Sequence, residues 1–196
     1  MGRRRFMSNH YFLGIPVADA LRETLNQAAR SYLTAADYKR KTDARDYHIT
    51  LLFLGALASE QRTAIVQAVH QTSANWTPFT LALSGIDGFG DRRHPRVLFA
   101  SLKETRGLTG LQAAIAQAVA PLGVRLENRP YHPHITLAKR WVSGDLPMQL
   151  PAVHHGLAGK QWTVSAVSLF QVCPDNLPNY QQICLFPFQS EKREYS

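Results

Sequence analysis

Two histidines and two threonines stand in identical surroundings: His48-Ile49-Thr50-Leu51 recurs unchanged as His134-Ile135-Thr136-Leu137. Both copies are embedded in apolar residues, which reads as a β-strand, and on a strand residues two apart share a face. Each His therefore shares its face with a Thr. A free imidazole titrates near pH ~6.5, so two in one cleft can hold one neutral and one protonated form near neutrality. The neutral ring accepts a proton from water, and the protonated ring gives one to a departing alkoxide. The hydroxyls of Thr50 and Thr136 can donate hydrogen bonds to the non-bridging oxygens of a phosphodiester, where charge grows during displacement. The pattern predicts acid–base chemistry at phosphorus.

A lone His on an apolar strand is ordinarily a satisfied structural residue. Chance and core packing yield leucine-rich repeats, but burying the same polar pair twice costs free energy unless partners are present. Neither motif carries a carboxylate on its own strand face, since Asp46 precedes the first strand. Metal-assisted displacement commonly uses acidic ligands, so no metal and no cofactor are expected. His132-Pro133-His134 has the look of a metal pair, yet no Cys or carboxylate accompanies it in the sequence. The third alternating His of the histidine-triad nucleotide hydrolases is replaced by Thr136, and neither Gly-x-Ser-x-Gly nor Gly-x-x-x-x-Gly-Lys occurs.

Cations surround the second copy. By strand parity Arg140 shares the face of His134 and Thr136, while Lys139 points with Ile135 and Leu137. Arg140 is then the expected phosphate contact if the strand stays regular that far. Lys139, Arg129 and His132 are further candidates for substrate contact, His132 sharing the parity of His134 across Pro133. His154-His155 reads as a loop pair.

The elements that must position these groups follow from periodicity. Tyr11–Ile15 is a short apolar strand. Val17, Leu21, Leu25 and Ala28 recur at helical spacing after Pro16, through about Tyr32. Asp37–Asp46, with Lys39-Arg40-Lys41 at its centre, is a loop by composition. His48–Leu54 is the first motif strand, closed by Gly55, and Ser59 is a helix cap for a stripe of Ile65, Val66 and Val69. Phe79–Ser84 alternates as a strand, Asp87–Pro95 reads as a glycine-rich loop, and Arg96–Leu102 returns as a strand. Leu108, Leu111, Ile115 and Val119 place a third helix, and the second motif strand begins at His134. Strands near Gln161–Val172 and Tyr180–Phe188 flank the turn-rich Pro174–Asn179.

Each motif strand thus follows a strand and a helix. The fold class predicted is α+β and bilobal: a duplicated fold of two pseudo-symmetric lobes, mainly antiparallel sheet flanked by helices, with a central cleft. No linker divides residues 10–188, so they count as one domain, preceded by a basic leader (residues 1–9) and followed by a polar tail (residues 189–196).

At 196 residues and 45% hydrophobic, the chain has material for a substantial core. Lys and Arg number 22 against 14 Asp and Glu, a net charge of +8, part of it in Arg3-Arg4-Arg5. Positive potential steers anions, which suits a phosphate-bearing partner. The apolar run after those arginines is too short for a signal peptide, and no segment approaches the ~20 apolar residues of a membrane span. Cys173 and Cys184 form no disulfide framework and read as buried thiols. A monomer in the cytoplasm, with no membrane association, is the default expectation.

The residues quoted also carry a family likeness. Tyr11-Phe12-Leu13-Gly14-Ile15-Pro16, Tyr47–Gly55, Arg96-Val97-Leu98-Phe99 and Asn128–Leu137 resemble, in order and spacing, the two-histidine (2H) phosphoesterases, and among them bacterial RNA 2′,3′-cyclic phosphodiesterases, historically named 2′-5′ RNA ligases. The likeness covers about residues 10–187. It implies metal-independent opening of RNA 2′,3′-cyclic phosphate ends, or of small cyclic phosphates, to 2′-phosphomonoesters, with 2′-5′ ligation as the reverse pathway. It also implies roles, His48 as proton donor to the departing 3′ oxygen and His134 as proton acceptor activating water. Sequence chemistry alone leaves the order of the pair open. It also leaves open another 2H substrate, such as a 2′-5′ oligoadenylate or an ADP-ribose cyclic phosphate, and a non-catalytic RNA-binding module.

Overall fold

Apolar residues on alternate positions force the motif strands to bury one face. Ile49 and Leu51, like Ile135 and Leu137, are buried, whereas His48, Thr50, His134 and Thr136 are half-buried on the opposite face. The computed structural model describes residues 10–103, 106–147, 149–153 and 156–189. The basic leader, the tail beyond residue 189 and His154-His155 lie outside the described residues.

Nine strands and three helices are described: β1 (His10–Pro16), α1 (Asp19–Ala35), β2 (Ala36–Lys41), β3 (His48–Ala56), α2 (Ser59–Ala74), β4 (Phe79–Gly90), β5 (Pro95–Leu102), α3 (Arg106–Val119), β6 (His134–Gly144), β7 (Gln161–Val164), β8 (Ala166–Val172) and β9 (Tyr180–Pro187). They form one curled antiparallel sheet in the order β7-β4-β5-β6-β3-β1-β8-β9, with β2 also paired to β6. The order is symmetric about the centre. The second lobe's β6, β5, β4 and β7 correspond to the first lobe's β3, β1, β8 and β9. The motif strands meet at the centre, where Ile49 pairs with Ile135. This is the α+β, bilobal, duplicated architecture read from the sequence.

Helices tie the lobes together from the buried side. Leu21, Leu25, Ala28, Ala29 and Tyr32 line the inner face of α1, and Leu108, Leu111, Ile115 and Val119 that of α3. α1 touches β6 and α3 touches β3, so each helix packs on the motif strand of the other lobe. Each fully buried aliphatic side chain contributes about 1.5–3 kcal/mol, and this shared core fixes the two motifs against one another.

Four sequence expectations change. Residues 37–41 are a strand rather than a loop, because β2 finds a partner far along the chain in β6: Lys41 pairs with Ala138, Arg40 with Lys139 and Tyr38 with Trp141. Asp87–Gly90 continue β4 through pairing with Phe99 to Pro95, which confines the turn to residues 91–94. The expected single strand 161–172 breaks at Ser165, since β7 joins β4 in one lobe while β8 joins β1 in the other. Ser59 opens α2 but Ala58 occupies the cap position, with no side-chain capping bond.

Candidate active site

Both motif strands bulge at the same residue. Thr50 pairs with Gly14 and Leu52 with Leu13, leaving Leu51 unpaired; Thr136 pairs with Phe99 and Ala138 with Leu98, leaving Leu137 unpaired. An extra residue reverses strand parity. Leu51 and Leu52 both turn into the core, as do Leu137 and Ala138. The freed Leu137 carbonyl accepts the Thr42 amide at 2.9 Å, and the Leu51 carbonyl is reached by the Gln112 side chain at 3.5 Å.

The reversal decides which cation faces the imidazoles. The charge of Lys139 acts on both His48 and His134, so Lys139, not Arg140, looks along the His–Thr face. Arg140 is exposed and sits at φ 63°, a left-handed distortion after the bulge. The parity expectation for Arg140 is therefore overturned by one inserted residue. Arg129 does not enter the face either: it is solvent-exposed and ion-pairs with Glu127 at 3.7 Å. In the first lobe the position matching Lys139 is Phe53, 52% exposed and stacked on Phe12 with ring centroids 5.8 Å apart.

Register about Ile49 and Ile135 sets His48 across from Thr136 and Thr50 across from His134. Directly opposed Cβ atoms on such strands lie about 4.5–5.5 Å apart. Two imidazoles and two hydroxyls thus form a compact quadrilateral. Each ring is held the same way. His48 Nδ1 lies 2.6 Å from the Asp46 carbonyl and His134 Nδ1 lies 2.8 Å from the His132 carbonyl. A carbonyl only accepts, so Nδ1 carries the hydrogen in both rings and Nε2 is left bare when the ring is neutral. His48 Nε2 lies 3.1 Å from Thr50 Oγ1, which donates to it. The His132 carbonyl thus holds the His134 ring, and the His132 ring stands 6.3 Å from it.

Aromatic rings wall both imidazoles. Phe12, Phe170 and Tyr180 surround His48, with Tyr180 edge-on at 5.0 Å; Phe89 and Phe99 flank His134 at 5.0 and 5.1 Å. Burial pushes the His48 pKa down to about 4, aided by the charge of Lys139. His134 is also lowered, first by burial and then by His132 and Lys139. Lys139 is itself lowered by burial and by Arg40 and Arg140. Asp46 is 4% exposed. Its carboxylate accepts the amides of Asn179 and Tyr180 at 2.7 and 3.1 Å, pinning the β9 entry that presents Tyr180 to His48. Tyr131, ahead of the second motif, donates its hydroxyl to the Thr50 carbonyl at 3.2 Å and so links the lobes.

Sequence reading misses Phe89, Phe170, Tyr180 and Arg40. Phe89 falls in a stretch that reads as a loop, and the other aromatics arrive through strand order, with no local signal. Among the described residues no three His, Cys, Asp or Glu side chains cluster as ion ligands, and no helix is long and apolar enough to cross a membrane.

A duplicated half-barrel with one His-x-Thr on each central strand is the architecture of a two-histidine phosphoesterase. The sequence profile of the 2′-5′ RNA ligase superfamily matches residues 17–172. A Bacillus subtilis protein named RNA 2′,3′-cyclic phosphodiesterase is 35% identical over 181 residues, spanning 92% of this chain and 96% of that protein. Among solved structures, one from Thermus thermophilus superposes with TM-score 0.78 at 25% identity, covering 93% of this chain and 99% of the other. Escherichia coli LigT, solved with 3′-AMP, gives 0.75 at 22% identity, covering 91% and 97%, and attests the fold. The chain belongs to the 2′-5′ RNA ligase superfamily.

Proposed function

We propose that this protein hydrolyses RNA 2′,3′-cyclic phosphate ends to 2′-phosphomonoesters through His48 and His134. The observation that carries this reading is the pair of bare Nε2 atoms, each opposite a Thr hydroxyl, on one half-exposed face beside Lys139. The family relatives bearing the name RNA 2′,3′-cyclic phosphodiesterase support the substrate. The exposed ring of Phe53 adds an aromatic surface on which a nucleobase can stack.

Water loses a proton to His134 Nε2 as its oxygen bonds to phosphorus. The bond from phosphorus to O3′ breaks, and O3′ takes the proton from His48 Nε2. Thr50, Thr136 and Lys139 carry the growing charge on the non-bridging oxygens. With both rings neutral in the empty cleft, the donor proton enters with the anionic phosphate, whose charge favours imidazolium. Burial lowers both rings, so their acidities do not order the pair, and the roles of His48 as donor and His134 as acceptor are those the resemblance implies. A 5′-hydroxyl in place of water gives 2′-5′ joining by the same steps, with O3′ again the leaving group.

The test is product analysis of an oligonucleotide ending in a 2′,3′-cyclic phosphate. Conversion to a 2′-phosphate is expected; a 3′-phosphate product or no turnover would contradict the proposal.

A further inference from the structure

Like charges directly opposed across two strands destabilise the pair, yet Arg40 on β2 is in register with Lys139 on β6. Directly opposed residues share a face, so both cations project on the side of the imidazoles. Arg140 adds a third charge one residue on. Among the described residues none of the three makes an ion pair, although the molecule forms ion pairs elsewhere, as between Arg22 and Asp19 at 3.1 Å. The charge of Arg40 acts on Lys139 and also on Tyr180, the ring that stands edge-on to His48. Arg40 therefore stands on the flanking strand directly across from Lys139, on the side of Tyr180. An exposed guanidinium there has an obvious anion to meet. An RNA chain entering the cleft carries its next phosphodiester one nucleotide from the cyclic end, and a guanidinium fork matches that group bidentately.

We propose that Arg40 binds the phosphodiester immediately upstream of the cyclic end, making the substrate an RNA chain in preference to a free cyclic mononucleotide. This rests on the proposed cyclic-phosphate activity and assigns the residue that reads the RNA chain beyond the reacting end.

The experiment compares kcat/KM for a cyclic mononucleotide and for a dinucleotide ending in a 2′,3′-cyclic phosphate. Wild type, Arg40→Gln, Arg40→Lys and the charge-matched Lys39→Gln are assayed. Wild type is expected to favour the dinucleotide. A lost charge-assisted hydrogen bond lowers that preference about tenfold or more in Arg40→Gln, with partial return in Arg40→Lys and none lost in Lys39→Gln. The salt dependence of dinucleotide turnover falls by roughly 0.7 in log–log slope in Arg40→Gln. A wild type without preference overturns the inference, as does an Arg40→Gln that loses both substrates equally or keeps the preference. Wild type inert on both substrates would overturn the catalytic reading itself.

Discussion

Lys139 and Arg140 are adjacent cations with opposite fates, set by a single unpaired leucine upstream. Lys139 acts on both imidazoles, whereas Arg140 is turned out at positive φ. Lys139→Gln should lower kcat/KM by about 10²–10³-fold, the range for loss of one transition-state charge stabiliser. Arg140→Gln should cost much less on a cyclic mononucleotide, and steady-state kinetics of the two variants side by side checks this. The imidazoles also make stability depend on pH. His48 has a folded pKa near 4 against 6.5 when free. Between those values the unfolded chain binds more protons, so stability rises with pH across that window and is lost on acidification. At pH 5 the deficit relative to pH 7.5 is about 2 kcal/mol, or roughly 4–8 °C in Tm for a chain this size. His48→Asn should lose correspondingly less Tm between pH 7.5 and 5; equal losses would show that His48 is not the buried titrating group.

Elements place these residues through two matched bulges and one close strand contact. Gly14 on β1 faces Thr50, and a Cβ there would stand 2.9 Å from the Ile49 carbonyl and 3.5 Å from His48 Cδ2. Gly14→Ala should push β1 from β3, cost about 1–3 kcal/mol and disturb His48. A lowered Tm together with lowered turnover is the expected result, and an unchanged melting curve would contradict it. Periodicity made β1, β3, β5, β6 and the three helices legible, because each buries a regular apolar stripe. It failed where strand pairing, rather than a local apolar stripe, makes the strand. The basic run 39–41 becomes strand only through β6, and Gly88 and Gly90 sit inside β4 because β5 continues opposite them. The bulges leave no local signature: Leu51 and Leu137 look like ordinary core residues, so parity beyond them could not be read.

At the scale of the whole molecule, an eight-strand path symmetric about Ile49 and Ile135 turns a repeated tetrad into one site. The two His–Thr pairs were legible as partners because a duplicated polar pair on apolar strands demands a shared reason. Their aromatic walls and the cation row were not, since β8, β9 and β2 reach the cleft only through the fold. The symmetry is broken where Phe53 in one lobe matches Lys139 in the other, giving the cleft an aromatic end and a cationic end. The most direct measurement is turnover of a 2′,3′-cyclic-phosphate-ended oligonucleotide, in chelator, by wild type, His48→Ala and His134→Ala. Two-histidine catalysis predicts activity in wild type and a loss of about 10²–10⁴-fold in each variant, with both variants folded. Undiminished turnover in either variant would contradict it.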